Sequence, residues 1–159
     1  MDELVREHII EHYPMKEVTS FQIGGPVDYF IGKGTNMVVS DKGMGGAVIR
    51  LENYFSDVKV DGTRVIAQSG ASLRKVAEAA CAASLEGLEF AHGIPGAVGG
   101  AMTMNAGAYG GEMKDVVESV KVMHHDGTTE VIPGEEMDFR YRNSRVYDEK
   151  LVDLEVTFA

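Results

Sequence analysis

One long segment near the middle of the chain carries almost no charge, and its composition indicates chemistry done by the main chain. The segment GIPGAVGGAMTMNAGAYGG, residues 93–111, is called here the glycine segment; it holds seven of the 19 glycines. No Asp, Glu, Lys or Arg occurs from Phe90 to its end. Glycine permits positive φ and lets a flat or charged ligand approach the backbone. Backbone N–H groups alone can hold a pyrophosphate, so the segment suits a cofactor with a planar ring and phosphates.

Spacing leaves two interpretations of the glycine segment open. Either it binds such a ligand, or its glycines let two lobes pack closely; we expect the first ahead of the second. The segment matches neither G-x-G-x-x-G nor the P-loop pattern. The stretch GKGTN at 32–36 has glycines but the wrong spacing for both.

Composition narrows the class of protein. With 159 residues, 44% hydrophobic and 25% charged, the chain is expected to form one globular domain or two small lobes. A net charge of -10 argues against nucleic-acid binding. The single cysteine, Cys81, excludes an internal disulfide and a multi-cysteine metal site, and no metal site is predicted. The sequence shows no signal peptide, which favours the cytoplasm, and the glycine segment is too rich in glycine to favour a membrane helix.

Hydrophobic periodicity predicts scattered strands and few helices, which indicates an α+β fold in two small lobes. Two helices are predicted, at 2–13 and 72–84, the second capped by Ser72. Strands are predicted on both sides of a Gly24-Gly25-Pro26 turn, at 47–51 and at 63–68, with a hairpin that turns at Asp126-Gly127 and a last strand at 151–158.

Two of these elements predict which side chains are buried. The apolar stripe of helix 72–84 comprises Leu73, Val76, Ala77, Ala80 and Cys81, so Cys81 is predicted to be a small core residue. The last strand alternates, and the pattern places Val152, Leu154, Val156 and Phe158 on the core side. It places Asp153, Glu155 and Thr157 on the opposite side, as in a half-buried strand.

Four motifs in order resemble a known family: FQIGGPVDYF, IGKGTNMVVSDKG, GIPGAVGGAMTMNAGAYGGEMKDVV and FRYRNSRVY. From Pro14 to Phe158 the chain resembles the FAD-binding part of UDP-N-acetylmuramate dehydrogenase, the UDP-N-acetylenolpyruvoylglucosamine reductase family. The resemblance implies a two-lobed α+β FAD-binding domain of the PCMH type, as in vanillyl-alcohol oxidases, with lobes at 1–50 and 51–159. It also implies a cytoplasmic enzyme of peptidoglycan synthesis. In that family NADPH reduces FAD, and the reduced flavin converts UDP-N-acetylglucosamine enolpyruvate to UDP-N-acetylmuramate.

The resemblance also implies site residues. A loop for the FAD pyrophosphate corresponds to Gly32, Lys33, Gly34, Thr35 and Asn36, with Ser40 closing the motif. A wall along the flavin corresponds to Gly93, Ile94, Pro95, Gly96, Val98, Gly99, Gly100, Ala101, Asn105, Gly107, Ala108 and Tyr109. Arg142 resembles the active-site arginine, a role that suits its chemistry, because a guanidinium stabilises the negative charge that develops beside a carboxylate.

The sequence departs from the family in two places. The family's C-terminal substrate lobe, with its proton-donating serine, has no counterpart here, so we expect very slow turnover. The family also places a helix and a strand where Phe30 runs directly into Ile31, so we expect a shortened first lobe. Two alternatives stay open: a non-catalytic remnant that self-associates through the surface left by the missing lobe, and another FAD oxidoreductase of the same fold, which the Tyr141-Arg142 motif disfavours.

Several other residues have plain structural interpretations. His124 and His125 are predicted to be exposed hairpin residues, and Glu135 and Glu136 a solvated turn. Met102 and Met104 are predicted to fill gaps in the core. His92 either contacts the cofactor or packs beside the segment.

Overall fold

The fold is taken from a computed structural model that describes residues 27–38, 41, 47–52 and 54–159. The described strands are β1 (Val27–Ile31), β2 (Ala47–Arg50), β3 (Val58–Asp61), β4 (Arg64–Gln68), β5 (Gly107–Ala108), β6 (Gly111–Glu112), β7 (Val117–Met123), β8 (Thr129–Pro133) and β9 (Val152–Phe158). The described helices are α1 (Leu73–Ala82), α2 (Val98–Thr103) and α3 (Arg145–Asp148). The predicted helix 2–13, the turn at 24–26 and Ser40 lie outside the described residues.

In the described part of the chain the largest sheet is antiparallel and has five strands, in the order β3-β4-β9-β7-β8. The last strand, β9, lies at its centre between β4 and β7. The predicted strands at 47–51, 63–68 and 151–158 are confirmed with slightly shorter bounds, and the hairpin around Asp126-Gly127 joins β7 to β8. Strand β3 was not predicted.

Helix α1 covers one face of this sheet and confirms the predicted helix and its cap. The Ser72 side chain accepts a hydrogen bond from the Lys75 N–H at 3.2 Å, which satisfies one of the free donors of the first turn. Leu73 and Val76 are fully buried in the main hydrophobic cluster. Burying one such side chain contributes about 1.5–3 kcal/mol, so this stripe fixes the helix on the sheet.

The prediction for Cys81 is wrong, because its side chain is exposed. The buried residues of the helix are Leu73, Val76, Ala77 and Ala80. Each residue advances about 100° around a helix, so Cys81 lies at the edge of that stripe. Near the end of α1 this edge faces solvent.

The prediction for Asp153 is also wrong, because its side chain is 5% exposed. The pairing of β9 with β7 shifts between Lys121↔Glu155 and Val122↔Asp153, which leaves Leu154 as an extra residue. Such a bulge reverses the alternation of faces along a strand. Asp153 therefore points towards helix α2, whereas Glu155 keeps the partly exposed side that the pattern predicts.

A small parallel sheet of β1 and β2 lies before the large one. At the end of this sheet, the Leu51 N–H donates a hydrogen bond to the Ile31 carbonyl at 3.0 Å. Phe30 and Leu51 pack against a second hydrophobic cluster of Phe55, Met123, Val152 and Leu154. This cluster connects the two sheets and holds the loop after β1 opposite the glycine segment. Within the described part of the chain, no helix has the length and hydropathy to cross a membrane.

Candidate functional site

A cleft of about 970 Å³ lies between the loop that follows β1 and the glycine segment. Small-molecule sites typically measure roughly 300–1,000 Å³, so this cleft has room for a large cofactor. Residues 32–37 form its first wall, helix α2 with residues 104–112 forms most of its second wall, and residues 139–142 lie at its rim.

The structure places most of the predicted site residues on this cleft. The lining includes Gly32, Lys33, Gly34, Thr35, Asn36, Ile94, Gly96, Gly100, Ala101, Asn105, Gly107, Ala108, Tyr109 and Arg142. Four others do not line it: Gly93, Pro95, Val98 and Gly99. The loop at 32–36, the glycine segment and Arg142, which the resemblance assigned to one site, therefore lie on one cleft.

The first wall is a loop whose amides are unpaired within the part of the chain that the structure describes. The N–H groups of residues 32–36 have no acceptor among the described residues, since the loop's one backbone bond is from the Met37 N–H to the Gly34 carbonyl, at 3.4 Å. Gly32 must be glycine here, because a Cβ on it would lie 2.6 Å from the Cβ of Ala97. That close approach brings the amides to the second wall. Successive free N–H groups of this kind form a concave anion site.

The second wall is built by helix α2, which contains two consecutive glycines and was not predicted. Tertiary hydrogen bonds start it: the Val98 N–H donates to the Ala71 carbonyl at 2.9 Å, and the Gly99 N–H to the Ser69 carbonyl at 2.8 Å. These bonds offset the low helix propensity of glycine. Gly100 faces the cleft, and a Cβ on it would meet no atom within 4 Å.

Asn105 lines the cleft, yet its side chain is used to hold the wall together. It is 6% exposed and has a φ of 43°. Its amide oxygen accepts from the Lys114 N–H at 3.0 Å, and its amide nitrogen donates to the Glu112 carboxylate at 2.8 Å. Asn105 therefore ends the helix and fixes the strands β5 and β6 beside it, and its side chain has little capacity left for a ligand.

Residues 140–143 form a tight turn at the rim of the cleft. Arg140 and Asn143 exchange backbone hydrogen bonds at 3.0 and 3.2 Å. Arg142 occupies the third position of the turn with a φ of 54°, the left-handed conformation that this position requires in a type II turn. Tyr141 is 92% exposed, and Tyr109 on the facing wall is 97% exposed.

Positive side chains outnumber negative ones on the lining, although the whole chain is acidic. The charged lining residues are Lys33, Glu112, Lys114, Arg140 and Arg142. Lys114 pairs with Glu112 at 2.8 Å; this contact lowers the pKa of the Glu112 carboxyl and raises the pKa of the Lys114 ammonium. Arg140 pairs with Asp138 and Asp148. Within the described residues, Lys33 and Arg142 have no carboxylate partner, so they remain available to an anionic ligand.

The residues that the sequence analysis did not assign come mainly from three places. Met37 and Ala97 sit beside predicted residues, Phe139, Arg140 and Tyr141 precede Arg142, and Glu112 and Lys114 follow the glycine segment. Met104 also lines the cleft, whereas Met102 is fully buried as predicted. The motif FRYRNS could have indicated the turn residues, because Arg142 was already singled out within it.

The described histidines, which are His92, His124 and His125, and the acidic turn do not line the cleft. His92 is exposed and lies 3.7 Å from the Glu78 carboxylate on helix α1. His125 is exposed as predicted, whereas His124 is partly buried and contacts Glu130 at 3.0 Å. Glu135 and Glu136 are exposed, which confirms the solvated turn.

Comparison with known proteins agrees with these features. The FAD binding domain family matches residues 28–132. UDP-N-acetylenolpyruvoylglucosamine reductase from Alkaliphilus metalliredigens is 43% identical over 178 residues, with coverage of 96% of this chain and 59% of the relative. The reductase from Clostridium botulinum (strain Hall) is 44% identical over 170 residues, with coverage of 91% and 55%. The resemblance seen in the motifs is confirmed, and the chain spans a little over half the length of these relatives.

The alignment length bears on the expected internal deletion. The 178 aligned positions with the Alkaliphilus relative are 19 more than the 159 residues of this chain. At least that number of aligned positions therefore has no counterpart in this chain, and a segment missing between Phe30 and Ile31 stays a prediction.

Solved structures identify the architecture. UDP-N-acetylenolpyruvylglucosamine reductase (MurB) from Thermus caldophilus superposes with a TM-score of 0.73 at 38% identity, over 82% of this chain and 48% of that one. A glucooligosaccharide oxidase from Acremonium strictum shares the fold, with a TM-score of 0.52 at 16% identity, over 71% of this chain and 25% of that one. The predicted α+β, PCMH-type fold is confirmed, and the chain belongs to the family of FAD binding domains.

Proposed function

We propose that the cleft binds FAD and that this chain forms the FAD-binding part of a UDP-N-acetylenolpyruvoylglucosamine reductase. The observation that carries the proposal is the cleft itself. A loop whose amides have no acceptor among the described residues faces a wall of glycine and alanine, and Lys33 and Arg142 beside them have no carboxylate partner in that part of the chain. The wider assignment includes NADPH as reductant, a UDP-sugar enolpyruvate as substrate and a cytoplasmic setting. It rests on similarity to the reductases, of which the chain spans 55–59%.

The residues present fit the cofactor. The amides of residues 32–36 suit a pyrophosphate, because they are consecutive and are unpaired among the described residues. The same loop carries the cationic side chain of Lys33. The open space over Gly100 suits a flat ring, since no side chain covers the backbone there. When bound, FAD supplies hydride transfer from NADPH to the substrate double bond.

The chain's own contribution to that chemistry is position and charge. Arg142 lies at the rim, and no carboxylate in the described structure forms an ion pair with its guanidinium. Hydride addition beside a carboxylate develops negative charge on the substrate, which a guanidinium stabilises.

Flavin binding can be measured without turnover. The chain has no tryptophan, so the fluorescence of the flavin itself is the signal. We expect purified protein to quench added FAD to saturation and to show bound-flavin absorbance between roughly 350 and 500 nm. Riboflavin, which has no phosphate, should bind at least tenfold more weakly because the amide loop recognises phosphate oxygens. Equal affinity for the two would contradict the role of the loop, and absence of quenching would contradict the function.

Self-association is a second proposal, favoured by the exposed aromatic side chains at the rim. Tyr109 and Tyr141 are 97% and 92% exposed, and large exposed apolar groups mark contact surfaces. Light scattering over a hundredfold range of protein concentration tests this proposal. A constant monomeric mass would refute it.

A further inference from the structure

The two walls of the cleft are joined at the rim through one side chain, that of Asn36. Its amide oxygen accepts a hydrogen bond from Nη2 of Arg142 at 3.0 Å, although the two residues are 106 positions apart. Its amide nitrogen donates to the sulfur of Met104 at 2.8 Å. The loop of the first wall is therefore connected both to the rim turn and to the end of helix α2.

These two contacts use both ends of the Asn36 amide. An amide offers one oxygen acceptor and one NH₂ donor group, and here each end already has a partner within the protein. The contacts differ in strength, since thioether sulfur is a weak acceptor and a guanidinium is a strong donor. The bond to Arg142 is therefore the one that positions a functional group.

Arg142 needs such support. It stands at the tip of the turn 140–143 in a left-handed conformation, and its side chain is exposed. A long exposed arginine otherwise samples many rotamers, and ordering it costs conformational entropy. Among the described residues, Asn36 is the side chain that hydrogen-bonds to its guanidinium.

We infer that Asn36 is a positioning residue, which holds the Arg142 guanidinium over the cleft as an unneutralised cation. This inference deepens the proposed function and rests on it for the role of Arg142. An amide serves where a carboxylate would not, because it fixes the guanidinium by a hydrogen bond and leaves its charge available to an anionic oxygen. A carboxylate at the same place would hold the arginine but would pair with its charge.

The positioning itself is measured on the flavin-free protein by NMR relaxation of the Arg142 Nε–Hε group. We expect Asn36→Ala to lower the order parameter of this group by about half or more, and Asn36→Asp to keep it, since the ion pair restores the restraint. Arg74, which is paired with Glu78 on helix α1, should be unaffected in every variant and is the internal reference. An unchanged Arg142 order parameter in Asn36→Ala would overturn the inference.

A second measurement separates positioning from direct contact between Asn36 and the cofactor. If Asn36 acts through Arg142, then Asn36→Ala, Arg142→Ala and the double variant should have the same FAD dissociation constant within about twofold. Arg74→Ala, which removes one exposed guanidinium that does not line the cleft, is the matched control for net charge. A loss in Asn36→Ala that exceeds the loss in Arg142→Ala by tenfold would show a direct contact and overturn the inference. Failure of the parent protein to bind FAD would instead refute the proposed function, and the NMR measurement would still decide on the positioning.

Discussion

Gly99 and Gly100 are neighbours in helix α2, yet they serve opposite sides of it. A Cβ on Gly99 would lie 3.0 Å from the Cβ of Ser69 and 3.6 Å from the Cβ of Asp153, so this side is packed against the large sheet. A Cβ on Gly100 would meet nothing within 4 Å and would point into the cleft. The glycine segment thus meets two demands at once. Ligand access and close packing, which the sequence presents as alternatives, apply to different residues of one short helix.

The largest effect is expected on the packed side. Gly99→Val introduces a branched side chain where even a methyl group is tight against Ser69, and overpacking of this kind costs about 3 kcal/mol. We expect chemical denaturation to show this loss in the free energy of unfolding. Gly100→Val is the matched control and should change the free energy of unfolding by less than about 1 kcal/mol. Equal losses in both variants would remove the distinction between the two sides.

The second prediction concerns the buried carboxyl beneath Gly99. Neither Asp153 oxygen has a hydrogen-bond partner in the described structure, nor has the Ser69 hydroxyl, and burial raises the pKa of the Asp153 carboxyl well above its usual value. Because the unfolded chain releases this proton at about pH 4 and the folded chain retains it, stability falls as pH rises between these two pKa values. The slope is about 1.4 kcal/mol per pH unit for one proton.

Replacement of this carboxyl should therefore stabilise the protein at neutral pH. We expect Asp153→Asn to be more stable than the parent at pH 7, by about 1.4 kcal/mol for each pH unit that separates the two pKa values of Asp153, and to lose this advantage near pH 4, where both folded proteins carry a neutral group. Unfolding titrations at several pH values measure the difference. A constant difference across this range would show that Asp153 is not the titrating group.

The third prediction concerns the open side and uses flavin affinity as its readout. Gly100→Val places two methyl groups in the cleft, where the backbone is otherwise bare. We expect the FAD dissociation constant to rise at least tenfold, which corresponds to about 1.4 kcal/mol. The melting temperature of the flavin-free variant serves as the control for folding. Unchanged affinity would show that the ligand does not approach this side of α2.

The smallest effect is expected on helix α1, where one of two neighbouring residues is buried and the other is exposed. Ala80 is 1% exposed, whereas Cys81 is exposed. Cys81→Ser should change the free energy of unfolding by less than about 0.5 kcal/mol, as at other surface positions. Ala80→Ser places a hydroxyl in the core without a polar partner and should cost about 1–3 kcal/mol. A large loss in Cys81→Ser would mean that the thiol is packed after all.

Periodicity predicted most of the scaffold, because the strands of the large sheet and helix α1 carry regular patterns. It did not predict helix α2, whose Gly99 and Gly100 disfavour a helix locally and whose start depends on Ser69 and Ala71, about 27–30 residues earlier in the chain. The bulge at Leu154 was equally invisible, since an alternating pattern contains no sign of a register shift.

The candidate site likewise has residues that the sequence indicated and contacts that it did not. Residue type alone marked the glycine segment, because glycine leaves the backbone bare. The loop at 32–36 and Arg142 were indicated by the family resemblance. The motifs did not indicate that Asn105 and Asn36 use their amides on protein partners, since those partners are 7 to 106 residues away in the chain. Such contacts follow from the tertiary fold.

The parallel pair of β1 and β2 has a consequence for how the cleft is assembled. Among the described residues this sheet has two strands, and a sheet of two strands is marginally stable by itself. Tyr29 and Val48 on it are 47% and 44% exposed. Its backbone amides should exchange with deuterium sooner than those of β9, because local opening there disrupts fewer buried contacts. A molecule gripped between the loop after β1 and helix α2 would slow that exchange in proportion to its occupancy. The rate of deuterium uptake in β1 and β2 should therefore report whether a ligand occupies the cleft.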